Sequence, residues 1–312
     1  MFTHPIRTEN QQIFLPELEE RNIQLFIKRE DQIHQDVSGN KFRKLKYNIQ
    51  EAKKQAQTTL LTFGGAFSNH ILAAAIAGKV SGFKTIGIIR GEELGESLEK
   101  TFLSNATLKK AYENGMQLEF ISRDKYRQKT TPEFLNELQS TYGRFYLIPE
   151  GGTNELAIQG CEEILTNEDA QFDYICCCVG TGGTISGLIR STGKHQKVIG
   201  FPALKGNFLN DEVKRFVADR DNWNLVDQYH FGGYGKFSES LISFINTFKQ
   251  QTKIPLDPIY TGKMMFGILE MIRKEEIPNN SKILMIHTGG LQGIKGFNQQ
   301  LEKKGKDLKI DL

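Results

Sequence analysis

Cysteine is scarce in this 312-residue chain, which holds four: Cys161 and the run Cys176-Cys177-Cys178. Adjacent residues of a strand point to opposite faces, so the run cannot ring a metal ion, and no metal is expected. The run lies in the apolar stretch Tyr174 to Val179 and is expected as a buried strand with small side chains. No apolar run approaches the roughly 20 residues that a membrane span requires. Met1-Phe2-Thr3-His4-Pro5 lacks the basic start and apolar core of a signal peptide, so a cytoplasmic protein is the expectation. Charge of one sign is not in excess: the net charge is +3, with Lys and Arg scattered, and this excludes a case for nucleic acid. There is no internal repeat, no low-complexity segment and no long linker.

What is present is a strand–helix rhythm in a chain of 38% hydrophobic and 25% charged residues, a composition that fits a globular protein with a large core. Phe42, Leu45, Ile49, Ala52 and Ala56 recur every three or four residues, which predicts a helix over 40–56. The alternation continues with strands at 60–63, 85–89, 117–121 and 145–148, and helices at 68–81, 103–114 and 132–141. After Pro149 it repeats: strands at 174–179, 198–201 and 283–286, and helices at 154–165, 184–191, 208–218, 237–251 and 262–274. Apolar strands alternating with helices imply an α/β protein with parallel sheets covered on both faces. The boundary at Pro149-Glu150-Gly151-Gly152 is a turn, so two apposed domains with a ligand between them, at strand C-terminal ends, are expected.

Three motifs carry chemistry. Ser38-Gly39-Asn40-Lys41 places a lysine in the first turn of a helix, with Gly39 suited to an unusual turn and Asn40 to a cap. The helix-end field there disfavours a cation, and a lysine with a lowered pKa serves as nucleophile or base. Gly64-Gly65-Ala66-Phe67-Ser68-Asn69-His70 joins a strand to a helix whose free N–H groups suit a carboxylate; a plain N-cap is the blander reading of Ser68. Val179-Gly180-Thr181-Gly182-Gly183-Thr184 follows a buried strand and offers N–H groups and hydroxyls to one phosphate. An amine that could form an imine, a base and a phosphate cradle are the parts that pyridoxal 5'-phosphate chemistry requires. Tyr234 and Tyr260, each beside glycine, are placed to stand against a flat ligand; buried core tyrosine is the alternative for both.

These blocks occur in order with Pro149-x-Gly151-Gly152-x-Asn154, Gly233-Tyr234-Gly235, Tyr260-x-Gly262-Lys263 and His287-x-Gly289-Gly290. Together they resemble the pyridoxal-phosphate-dependent family of 1-aminocyclopropane-1-carboxylate (ACC) deaminase and D-cysteine desulfhydrase, over residues 5 to 300. The resemblance implies a tryptophan-synthase-β-like fold, with two three-layer αβα domains and mainly parallel sheets. Residues 1–43 plus 149–312 would form the large domain and 44–148 the small inserted one. It also implies a homodimer. By position, Lys41 resembles the Schiff-base lysine, with Asn40 or Lys44 supporting it and Lys44 near the phosphate. Gly180, Thr181, Gly182, Gly183 and Thr184 would hold that phosphate, and Asn69 the ring oxygen. Ser68, Asn69 and His70 would meet the substrate, with Ser68 or Lys41 as the base. Tyr234 and Tyr260 would flank the substrate as catalytic groups.

Two further positions speak to substrate. Deaminases of this family carry Glu after the Tyr260 position and Leu in the last block, where this chain has Thr261 and Thr288, the desulfhydrase-like pair. A neutral hydroxyl at the pyridine nitrogen makes a weaker electron sink, sufficient for a good leaving group such as thiolate. The residues after His70, Ile71-Leu72-Ala73-Ala74, are more apolar than the family pattern, and the segment 91–104 is short. The expected function is a pyridoxal-phosphate-dependent lyase of a small amino acid, D-cysteine desulfhydrase-like, giving pyruvate, ammonia and sulfide. ACC deamination to 2-oxobutanoate, another dehydratase or racemase of the same fold, and a non-catalytic carrier of the cofactor are the alternatives.

Overall fold

The computed structural model describes Phe2, residues 6–303 and residues 305–311. Apart from Phe2, the segment Met1 to Pro5, on which the expectation about a signal peptide rests, lies outside the described residues. Among the described residues, ten strands form two sheets. The larger runs β1 (Asn10–Ile13), β2 (Gln24–Lys28), β10 (Lys282–Ile286), β7 (Tyr174–Val179), β8 (Lys197–Pro202) and β9 (Trp223–Leu225) in spatial order. The smaller runs β5 (Met116–Ile121), β4 (Lys84–Arg90), β3 (Thr59–Gly65) and β6 (Tyr146–Ile148). All pairings are parallel except β1 with β2.

Each sheet is covered on both faces, as the continuous apolar strands require. In β7, Cys176 and Cys178 enter one core with Leu25, Ile27 and Met285, while Ile175, Cys177 and Val179 enter another with Leu188 and Val198. In the smaller sheet, Leu60 and Ile89 face a core with Phe42, Leu45 and Ile49, whereas Leu61, Phe63, Ile86 and Ile88 face Tyr126, Phe134 and Leu138. This is the expected α/β, mainly parallel, three-layer arrangement.

The predicted helix over 40–56 is Asn40–Lys54, and its apolar stripe Phe42, Leu45, Ile49 and Ala52 is buried. The predicted helix over 103–114 is two, Leu98–Ser104 and Ala106–Glu113. Asn105 breaks it: its side chain accepts from Leu108 N at 3.0 Å and donates to Ala66 O at 2.8 Å, so it starts a new helix and ties it to the motif loop. Strands β1, β2 and β9 and the helix Ile294–Lys303 carry no pattern strong enough to be read from the sequence.

Candidate active site

A cavity of about 190 Å³ opens between the two sheets, where the C-terminal ends of parallel strands converge. β7 delivers Gly180 to Thr184, β10 delivers Thr288, β3 leads to Ser68 and Asn69, β4 ends in Arg90, and β6 leads to Glu150. Binding at strand C-terminal ends is the general rule for such sheets.

Lys41 projects from the first turn of the helix Asn40–Lys54. The cap is Gly39, not Asn40. Gly39 has φ +64°, and a Cβ there would overlap the Thr288 carbonyl oxygen, so only glycine brings this turn against the β10 loop. Asn40, freed from capping, accepts from Lys41 Nζ at 3.3 Å and donates to Thr184 Oγ1 at 2.7 Å. It thereby orients the amine and the end of the glycine loop together. Burial lowers the Lys41 pKa from its ordinary value, and neighbouring buried thiols oppose that shift. Desolvation, rather than the helix-end field expected from sequence, is therefore the first cause.

Lys44 lies one turn on, 2% exposed. Its Nζ donates to Gly151 O at 3.1 Å, Thr153 Oγ1 at 3.0 Å and Thr181 Oγ1 at 3.4 Å, all neutral acceptors. Burial first, then the charge of Lys41, pushes its pKa down to about 7. The adjoining helix Gly183–Ser191 starts at Gly182 (φ +81°), so its first N–H groups face the same place. An anion at this point would satisfy the ammonium and the helix start together. Thr153 and Thr181 share a 2.5 Å hydrogen bond beside it.

Ser68 both caps the helix Asn69–Ser81, accepting from Ile71 N at 3.4 Å, and lines the cavity. The two readings of it are thus compatible. His70 lines the cavity with one ring nitrogen committed and the other, Nδ1, buried without a partner: Thr62 donates to Ile148 O, so His70 Nε2–H donates to Thr62 Oγ1 at 2.8 Å. Burial, then Lys41 and Lys44, hold its pKa well below the imidazole range, so it is neutral. Tyr234 and Tyr260 meet edge to face, centroids 6.1 Å apart, with Tyr234 at the open side. Burial holds the Tyr260 hydroxyl well above its ordinary pKa, so it stays protonated.

Thr261 is not brought to the cavity. It is fully buried, donating to Asp257 Oδ2 at 2.7 Å and accepting from Asp257 N at 2.9 Å. Asp257 also receives the N–H groups of Ile259, Tyr260 and Thr261, and so builds the loop that aims Tyr260. Gly183 also stands off the wall, packed against Thr153 and the Lys44 ammonium. The wall at the far end is Thr288, whose Oγ1 lies 2.9 Å from Cys178 Sγ. Cys178 thus departs from the purely structural reading of the cysteine run, while Cys176 and Cys177 keep to it. Sequence reasoning also missed Arg90, Glu150 and Asp257; the one signal available was the position of Arg90 and Glu150 just at strand ends.

A family profile described as pyridoxal-phosphate dependent enzyme matches residues 6–289. The chain belongs to this family. The residues fit the cofactor: a buried ammonium with no carboxylate partner, a helix start beside it, and a second amine of lowered pKa in the same cavity. Among its relatives in the pyridoxal-phosphate-dependent family, a Thermotoga maritima protein provisionally named 1-aminocyclopropane-1-carboxylate deaminase is 32% identical over 92% of this chain and 96% of that protein. The Arabidopsis thaliana bifunctional D-cysteine desulfhydrase/1-aminocyclopropane-1-carboxylate deaminase, mitochondrial, is 29% identical over 87% of this chain and 73% of that protein. A crystal structure of an ACC deaminase homologue superposes with a TM-score of 0.81 at 28% identity, covering 96% of this chain and 94% of that one.

Proposed function

We propose that this pyridoxal-phosphate-dependent enzyme is a lyase of a small amino acid that converts D-cysteine to pyruvate, ammonia and sulfide. The observation that carries this reading is the far wall of the cavity. Among the described residues it presents a hydroxyl and a thiol, Thr288 and Cys178, and no carboxylate; the carboxylate that lines the cavity elsewhere, Glu150, pairs with Lys129 at 3.4 Å. The bound cofactor supplies an electron sink, and a neutral partner at its ring nitrogen leaves that sink weak, which favours substrates with a good leaving group. The name of the Arabidopsis relative supports the same substrate.

The chain's residues divide the work. Lys44, Gly180, Thr181, Gly182 and Thr184 bind phosphate. Asn40 orients the Lys41 amine, whose pKa burial lowers. Ser68 and Asn69, at the helix start, receive the substrate carboxylate. The Cα–H proton passes to Lys41, with the Ser68 hydroxyl beside it as the other acceptor. The Cβ–S bond breaks with its electron pair on sulfur, and water then releases ammonia from the remaining three-carbon skeleton as pyruvate. Tyr260 stays protonated and can donate; Tyr234 closes the open side. The family resemblance supports a homodimer and a division into 1–43 plus 149–312 and 44–148. Four free thiols support a reducing compartment such as the cytoplasm, and none of the helices among the described residues is long and apolar enough to cross a membrane.

The names of several relatives favour ACC deamination as the second reading. Incubating the cofactor-loaded protein with D-cysteine and, separately, with ACC decides between them. Pyruvate with sulfide from the first is expected; 2-oxobutanoate from the second with no pyruvate from the first would replace this reading with the other.

A further inference from the structure

Arg90 ends β4 and reaches the cavity wall, where the reaction above gives it no task. Its guanidinium lies 5.7 Å from the Tyr126 ring centroid and would stand 3.6 Å from a Cβ at Gly65. Among the described residues it has no ion-pair partner and its side chain makes no hydrogen bond. Glu150, the carboxylate that lines the same cavity, is engaged by Lys129 at 3.4 Å. Arg90 therefore presents a positive charge without a carboxylate of its own, on a planar fork of donors that suits an oxyanion.

Its position relative to the substrate follows from the loop it touches. Gly65 begins the turn that leads to Ser68 and Asn69, where the reading above places the substrate carboxylate. Arg90 is exposed while Ser68 and Asn69, the residues given the carboxylate, are half-buried. The guanidinium thus stands outward of the carboxylate, on the side open to the rest of the amino acid. We infer that Arg90 is a specificity residue that lets the site take, alongside D-cysteine, amino acids whose β-substituent ends in an oxyanion, and favours them over their neutral counterparts. This rests on the placement of the substrate carboxylate given above.

The test is calorimetric binding of D-aspartate and D-asparagine, neither of which carries a β-leaving group, to the cofactor-loaded protein, wild type, Arg90→Gln and Arg90→Lys. The wild type is expected to bind the acidic ligand at least about 10-fold more tightly, the scale of a charge-assisted contact. Arg90→Gln should weaken that ligand about 10- to 100-fold and D-asparagine less than about 2-fold, with Arg90→Lys between. No preference in the wild type overturns the inference, and that result needs no variant to fold. Equal weakening of both ligands in Arg90→Gln overturns it as well, since Arg90 would then be holding the α-carboxylate. Binding heat is read without turnover, so absence of pyruvate from D-cysteine would count against the proposed reaction and leave this comparison intact.

Discussion

Lys28 and Lys44 are buried to the same 2% exposure, and they differ in what answers their charge. Lys28 meets Asp169 at 3.0 Å, and Asp169 is further satisfied by Thr166 N at 2.7 Å and Asn10 Nδ2 at 2.7 Å. That site is complete. Lys44 meets a carbonyl and two hydroxyls, and its pKa falls to about 7. A buried cation is costly unless paired. One lysine is closed by the protein itself; the other is left for a ligand to close. The same contrast separates Arg43, bound to Glu30 at 2.8 Å, from its neighbour Lys41. Within one helix, alternate residues are tied to structure and to chemistry.

The largest effect is expected where the uncompensated side is also reactive. Lys41→Ala should lower turnover about 10³-fold or more while leaving the protein folded; near-normal steady-state rates would remove Lys41 from the chemistry. Next comes stability. Lys28→Met strips a buried carboxylate of its partner and should cost about 3–5 kcal/mol in urea denaturation. Lys44→Met removes a buried cation that has no carboxylate partner and should leave the cofactor-free protein at least as stable near pH 7, yet weaken cofactor binding. Equal stability losses at the two positions would erase the contrast.

The pH response sharpens it. Folded Lys44 titrates near 7, while the unfolded side chain titrates near its ordinary 10.5. Between those values the unfolded chain binds more protons, so the cofactor-free protein should gain stability as pH rises from 7 toward 10. The slope from this group is up to about 1.4 kcal/mol per pH unit. Below pH 7 both states carry the proton and the penalty is constant. Lys41 and Lys263 are lowered by burial as well and add to the slope. Lys44→Met should therefore flatten it in part, and bound phosphate should too, by raising the Lys44 pKa. A variant slope equal to that of the wild type would contradict the account.

The smallest effect distinguishes two threonines. Thr261→Val leaves Asp257 short of a buried donor, at about 1–3 kcal/mol of stability, with cofactor affinity unchanged. Thr288→Val should leave stability nearly intact and shift the absorbance of the bound cofactor. The opposite pattern would return Thr261 to the site.

Much of this was legible from local pattern. The strand–glycine–helix junctions fix where chain ends meet ligand, and the stripe Phe42, Leu45, Ile49, Ala52 fixes the face that the helix buries. What escaped depends on partners distant in sequence. The helix break at Asn105 is made by Ala66, 39 residues away. β1 and β2 carry the polar residues Gln11, Gln12 and Lys28, and the burial of Lys28 follows from Asp169, which no local period can show. In the site, the family motif marks Lys44, but its burial among Gly151, Thr153 and Thr181 is set by partners at least 107 residues away. Thr261 follows the family motif in sequence, yet Asp257, four residues earlier, captures its hydroxyl.

The most direct test of the central claim is chemical. Reducing the cofactor-loaded protein with borohydride and locating the pyridoxyl group by peptide mass spectrometry should place it on Lys41 alone. A label on Lys44 or Lys263, or no label on any lysine, would contradict the assignment of the unanswered charges in this cavity.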